Sequence, residues 1–436
     1  MKNGSLNDVK WYETLTFKMV LLGIMAIMFL VPLQLIKMLI AERAENSFAV
    51  QEQISEEWSK RQTITGPVLN IPVIRSVYSG KDRIAYENTL WHIMPEKLDI
   101  AGEIDPQIRY KGIYESVIYE ADLKFAGSFL IPSEVNDPDL KILWEEAYFS
   151  LGISDNRGIM EGLSLIVNDT SIAAQPGVGD HELFSSGVTF PVSIPAGSQS
   201  FDFKADIGLR GSSGIFFTPM GKSTKVSFKS SWSAPSFTGN YLPEERSTGN
   251  DGFTANWNVS HLNRKFPQSW YGDIYRPEEE SFGVKLLLEV DHYRKSERSA
   301  KYGLLFIAFT YLVLLFLEIS SRQRIHLFHY FLVSLSLVLF FSLLNSLSEH
   351  IGFSFAYLIS SGATIALLSL FSGILLKKPK YVLLIGGILI LLYVFIYILL
   401  SLNEFAYLAG NIGLFIALGA TMCLSARTDL FRKSVI

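Results

Sequence analysis

The side chains able to do chemistry are scattered along this chain rather than grouped. Gly221-Lys222-Ser223 reads like the end of a phosphate-binding loop, in which backbone N–H groups and a lysine cradle phosphate. That loop requires another glycine at 216, where Phe216 stands, and Gly214 is misplaced for the role. The tripeptide therefore reads as a turn. The seven histidines, at 92, 181, 261, 292, 326, 329 and 350, include no His-Glu-x-x-His pair. His326 and His329 are three apart at a helix start, a spacing a metal can use. No third ligand stands near them, so they read as the entrance of an interfacial helix. Neither Gly-x-Ser-x-Gly nor Ser-x-x-Lys occurs, so neither a hydrolase elbow nor a penicillin-binding-type nucleophile is supported. The single cysteine, Cys423, excludes an intrachain disulfide and offers no thiolate metal site. A net charge of −4 gives no broad basic field for nucleic acid. The expectation is a non-enzyme, without cofactor or metal.

The elements that would position any function meet in the stretch from Ser281 to Ser321. Phe282, Val284, Leu286, Leu288 and Val290 alternate with Gly283, Lys285 and Glu289, the pattern of a half-buried strand. Asp291 stands where a helix N-cap is expected, since a carboxylate accepts the unpaired N–H groups of a first turn. Arg294, Arg298 and Lys301 then share a helical face. From Tyr302 to Leu317 nothing is charged, which with its flanks is about the twenty residues that a bilayer-spanning helix needs. Asp291 thus marks the joint between a soluble and a membrane domain.

Upstream, Lys18 opens an apolar run from Met19 to Ile40. It is long for a signal-peptide core, and Ala41-Glu42-Arg43-Ala44 is a poor cleavage site, so an uncleaved signal anchor is expected. Val50, Ile54 and Trp58 continue it as a helix with one apolar stripe. A β-rich region follows. Residues 63–75 carry Gly66-Pro67 and Pro72, which suit an edge or bent strand better than a central one. Two-residue alternation recurs from Val117 to Phe125, from Phe201 to Leu209 and from Phe253 to Val259, as in sheets with one wet face. Residues 140–152 are the one helix expected in this region.

Five more spans are expected at 302–320, 327–347, 353–376, 381–402 and 405–425. Their connections alternate in charge: Arg322 and Arg324, then Glu349 and His350, then Lys377, Lys378 and Lys380, then Glu404. Basic loops stay in the cytoplasm, so both termini are expected there, with 41–301 outside. The fold class is membrane α plus soluble β: a six-span helical bundle with a large β-rich periplasmic domain between spans 1 and 2. The domains are 1–40, 41–301 and 302–436.

Coupled transporters carry ionisable residues in mid-bilayer, and here Glu318 lies at a span end while Asn345, Thr364 and Asn411 are uncharged. Ala409, Gly413, Ala417 and Thr421 form a small-residue face suited to close helix packing. The charges that stand out are Arg294, Arg298 and Lys301 at the outer surface, where cations are not expected. One reading has them snorkel to water or lipid phosphates. A sharper one has them meet Glu349, Glu404 and His350, clamping the polar helix onto the bundle.

Several stretches resemble the CreD-like inner-membrane proteins of bacteria. They are 65–73 (TGPVLNIPV), 112–129, 235–243 (PSFTGNYLP), 262–270 (LNRKFPQSW), 282–318 and 346–363. That family often has Pro before the Val-Asp pair, where this chain has Glu289. The resemblance implies a role in cell-envelope integrity and stress, including β-lactam response and colicin tolerance, and supplies no catalytic motif. The expected partners are the bilayer and an envelope protein, lipid or peptidoglycan, with the oligomeric state left open. The alternative is a transporter or channel subunit for an amphiphile.

Overall fold

The computed structural model describes residues 15–78, 84–132, 140–179, 183–195, 200–288, 292–321, 323–377, 379–402 and 405–427. The chain divides into two compact units, one of residues 47–289, the other of Met1–Asn46 with Val290–Ile436.

The 47–289 unit is built from two sheets. The eight-stranded sheet runs Glu245–Gly249, Gly252–Ser260, Ser223–Ser230, Lys97–Lys111, Tyr114–Leu130, Ser200–Ser212, Ser164–Val167, Thr170–Ala173. The ten-stranded sheet is ordered around Gln62–Tyr78, which lies between Gly214–Phe217 and Tyr148–Ile153. Alternation does what it must: Val117, Tyr119, Ala121, Leu123 and Phe125 are all buried, as are Phe203, Ile207 and Leu209, and Ala255, Trp257 and Val259. Aromatic pairs join the inner faces of the sheets, Phe129 with Phe149 at 5.2 Å, Phe217 with Phe228 at 4.8 Å and Trp257 with Phe282 at 5.7 Å. Each such ring gains roughly 1.5–3 kcal/mol on burial.

Two expectations change here. Gln62–Tyr78 is a central strand, and it bends: its register against Tyr148–Ile153 shifts between Thr65 and Val68. Pro67 sits in that bulge, where no ladder hydrogen bond is required of it. Gly66 has φ 122°, and a methyl group there would lie 2.9 Å from the Ser150 carbonyl oxygen. Residues 140–152 are not a helix but the strand Leu140–Ile142, a 3-10 turn Trp144–Glu146 and most of the strand Tyr148–Ile153. Phe149, Ser150, Leu151 and Ile153 are all buried between Gln62–Tyr78 and Gly187–Pro191, and that pairing overrides a locally helical spacing.

In the other unit, helix α1 (Leu15–Met28) runs into α2 (Leu30–Trp58) with a break at Phe29. Pro32 accounts for the break, since it has no N–H for the Met28 carbonyl and its ring crowds that oxygen. Helix α3 (His292–Lys301) meets α4 (Gly303–Ser321) at a bend of 45°. Helices α5 (Leu327–Ile351) and α6 (Phe353–Leu376) are joined by Gly352, whose φ of 75° suits glycine. Helices α7 (Pro379–Ser401) and α8 (Ala406–Arg427) complete the unit. Among the described residues, four helical runs are long and apolar enough to cross a membrane, Thr16–Trp58 and α5, α6 and α7, and the bent pair α3–α4 makes a fifth. The apolar part of α8, Leu408–Cys423, is shorter. Phe306, Phe340 and Tyr393 interlock at 4.7–5.8 Å, joining α4, α5 and α7 in an aromatic core.

Candidate functional site

The charged sites that sequence singled out in the membrane unit lie towards the ends of its helices. At one end Lys18, entering α1, bonds the Glu318 carboxylate of α4 at 2.5 and 2.6 Å and the Ile325 carbonyl oxygen at 2.7 Å. Tyr330 of α5 donates to the same carboxylate at 2.9 Å, and its ring lies 5.2 Å from the ammonium. Three elements are therefore tied by one lysine, whose charge is neutralised by a single carboxylate. Pairing a cation with a carboxylate, a carbonyl and an aromatic face is what lets it sit partly buried. Sequence reading noted Lys18 and Glu318 separately and had no signal for their pairing.

Towards the opposite end of α4, Gly303 packs on α2, which continues the same run as α1: a methyl group at 303 would lie 2.6 Å from Leu33 Cδ2. Fifteen residues separate Lys18 from Leu33, and fifteen separate Gly303 from Glu318. Two contacts at equal spacing, met in opposite chain order, define an antiparallel helix pair.

Among the expected outer charges, Arg298, Lys301 and Glu349 each have a partner of their own. Arg298 donates through Nη2 to the carbonyl oxygens of Leu399 at 3.3 Å and Leu402 at 3.0 Å. It thus caps the last turn of α7, whose unpaired carbonyls and negative dipole end favour a cation. Lys301 pairs with Glu297, one turn earlier on α3, at 2.8 Å. Glu349 accepts from the Tyr293 hydroxyl at 3.4 Å. His350 and Arg294 are exposed. Glu404 and Asp291 lie outside the described residues, so the expected N-cap is not described. Ala409, Gly413, Ala417 and Thr421 are the half-buried face of α8, while Leu408, Ile412, Phe415 and Ile416 are exposed. At Gly413 an added methyl group would overlap the Phe395 ring of α7.

His326 caps α5, its Nδ1 accepting from the Phe328 N–H at 3.2 Å, so that nitrogen is committed to the helix entrance. Gly221 and Lys222 form a bend into the strand Ser223–Ser230, with Lys222 bonded to Glu96 at 2.6 Å. Among the described residues, no group of three or more His, Cys, Asp or Glu is arranged to hold a metal ion.

Several buried polar groups inside the β unit are bonded to the fold around them. Asn70 donates to Ser150 Oγ at 2.8 Å and meets His92 Nδ1 at 2.7 Å, all three fully buried. Arg264 donates to the carbonyls of Pro219 and Met220 and to Gln268, whose own amide reaches the Met94 and Pro95 carbonyls. Burial pulls the Arg264 guanidinium down to about 10. Glu280, also buried, bonds the Tyr241 hydroxyl at 2.9 Å. The Trp58 ring, at the end of α2, meets the guanidinium groups of Arg109 at 5.7 Å and Arg210 at 4.8 Å. These networks fix loops to strands.

Grooves open between helices of the membrane unit. One, of about 540 Å³, lies between α6 and α7 and is mostly apolar, with Tyr357, Tyr393 and Tyr397 in its lining. Another, of about 460 Å³, lies between α2 and the α3–α4 bend.

A family model described as inner membrane protein CreD matches residues 14–431. The inner membrane protein CreD of Escherichia coli (strain K12) is 30% identical over 363 residues, spanning 80% of this chain and 78% of that protein.

Proposed function

The chain belongs to the CreD family of inner membrane proteins, and from that premise we propose that it is a non-catalytic support of the cell envelope acting through a periplasmic β-rich domain. In this reading there are six spans with both termini in the cytoplasm, and 41–301 is exported between the first and second. The charge alternation of the connections supports it. The observation that carries it is the antiparallel pairing of the first span with α4 through Lys18–Glu318 and Leu33–Gly303. Antiparallel neighbours oblige the chain between them to begin and end on one side of the bilayer. Alkaline phosphatase fused after Ser150 or Gly352 is then active, and after Arg324 or Lys380 inactive; activity after Lys380 overturns the topology.

The role itself is maintenance of the envelope under stress, including β-lactam response and colicin tolerance, by contact with an envelope protein, lipid or peptidoglycan. Cells lacking the protein should change in β-lactam or colicin susceptibility, and the full chain should restore it. Crosslinking in cells then identifies the partner. Unchanged susceptibility under both agents counts against the role.

The groove between α6 and α7 favours a second reading, a subunit that handles an amphiphile. A lipid-like compound that co-purifies and is lost when Gly362→Trp fills the groove would support it.

A further inference from the structure

We infer that the groove between α2 and the α3–α4 bend holds an anionic phospholipid, one acyl chain along the apolar wall and the phosphate between Lys37 and Lys301. The groove has a volume of about 460 Å³, inside the range of about 300–1,000 Å³ typical of small-molecule sites. Leu30, Leu33 and Leu304 belong to its apolar lining, and Gln34, Lys37 and Lys301 are its polar lining. Apolar walls with two ammonium groups and no carboxylate in the lining match an anionic amphiphile rather than a neutral one.

Depth supports the same occupant. Lys37 follows Lys18 by nineteen residues, about 29 Å at roughly 1.5 Å per residue, which is close to the hydrocarbon thickness of about 30 Å. Lys301 precedes Glu318 by seventeen, about 26 Å on the same scale. With Lys18 and Glu318 joined at one membrane surface, Lys37 and Lys301 both reach the level of the opposite headgroups.

Charge completes the argument. In the proposed topology this is the outer face, where lysine and arginine are ordinarily scarce, yet Lys37, Lys295, Arg298 and Lys301 stand near it. Arg298 is committed to the end of α7. Lys301 has Glu297 as its partner, but that pair is exposed, at 57% and 44% of the two side chains, and exposed pairs are weak enough to exchange for a phosphate. A phosphate bridging Lys37 and Lys301 joins the first span to the second at the end opposite Lys18–Glu318.

The inference rests on reading these helices as spans, and the test is independent of which face is outer. Full-length protein is purified in neutral detergent and titrated with phosphatidylglycerol, phosphatidylethanolamine or soluble glycerol phosphate, with bound lipid counted by native mass spectrometry and stability followed by thermal melting. Phosphatidylglycerol should bind and raise the Tm, and the other two should not. Lys37→Gln and Lys301→Gln should each weaken it roughly fivefold, the contribution of about one lysine beside an anionic surface. Leu304→Trp should abolish binding with both lysines in place. Equal binding of the two lipids, an equal effect of glycerol phosphate, or full retention of phosphatidylglycerol by the double lysine variant overturns the inference. The comparison of ligands on the unaltered protein decides it even if a variant does not fold.

Discussion

Lys18 and Glu318 are 300 residues apart in the chain and 2.5 Å apart in the fold. Their side chains are only 19% and 13% exposed, so either one alone would be a poorly solvated charge. Breaking a buried pair from one side costs about 3–5 kcal/mol, and the residual exposure places this one near the lower end, about 3 kcal/mol. Glu318→Gln should therefore lower the Tm of the purified protein markedly, and Tyr330→Phe by less, about 1.5 kcal/mol for a hydrogen bond to a charged group. Exchanging the charges, Lys18→Glu with Glu318→Lys, should recover much of the loss. A Glu318→Gln variant that melts like the parent would show that the pair contributes nothing.

Gly303 makes a second, steric prediction. Leu33 can yield a little to Gly303→Ala, but Gly303→Leu must push the two helices apart, at about 1–3 kcal/mol for overpacking. Gly362 on α6 has nothing within 4 Å of an added methyl group, so Gly362→Ala should be neutral or slightly stabilising in the same melt. Equal effects at 303 and 362 would remove the close approach from the account.

Arg298 is predicted to act as a cap. Arg298→Ala removes the donor to the Leu399 and Leu402 carbonyls, a charged hydrogen bond of about 1.5–3 kcal/mol. Hydrogen exchange should quicken in the last turn of α7 and little elsewhere. Glu349→Arg should not rescue Arg298→Glu, because Glu349 accepts from Tyr293. Rescue would place the two side chains together after all.

Acid should act on the β unit through Asp155. Hydrogen bonds from the Arg157 side chain, with others from the backbone of Lys60 and Arg157, hold its carboxyl well below the usual carboxylate range. A carboxyl depressed by folding contributes stability that is complete above its unfolded value, about 4, and is lost as pH falls below that towards the folded value. Residues 47–289 expressed alone should give a sheet-type circular dichroism spectrum and a cooperative melt. Between about pH 4 and pH 2, Asp155→Asn should show a shallower fall in Tm than the parent. Parallel acid limbs would exclude Asp155 as a source.

What was legible in sequence follows from what kind of partner each residue has. The alternation at Val117 to Phe125 announces a sheet face because every second residue meets the same core. The stripe Val50, Ile54, Trp58 likewise announced the continuation of α2, which ends at Trp58. Residues 140–152 misled because their neighbours, Gln62–Tyr78 and Gly187–Pro191, are remote in the chain, and local spacing carries no trace of them. Arg298 was singled out by its charge, but its acceptors are backbone carbonyls, which look alike at every position. The pairing of Lys18 with Glu318 was invisible for a third reason. Nothing near either residue specifies a partner 300 positions away.

That separation also has a consequence in time. Translation proceeds at about 5–20 residues per second, so Glu318 is made roughly 15–60 s after Lys18. In the proposed topology the first helix waits in the bilayer through that interval while the β-rich segment is exported and folds. Lys18 spends it at the surface with only water and headgroups to neutralise it, and the helix has no neighbour for Leu33. Closing the pair must wait until α4 is made, with α5 to α8 still to follow, and in that topology α4 returns in the opposite direction to meet the first span. A chain stalled before that point keeps a first helix without its antiparallel neighbour and a Lys18 without the Glu318 carboxylate.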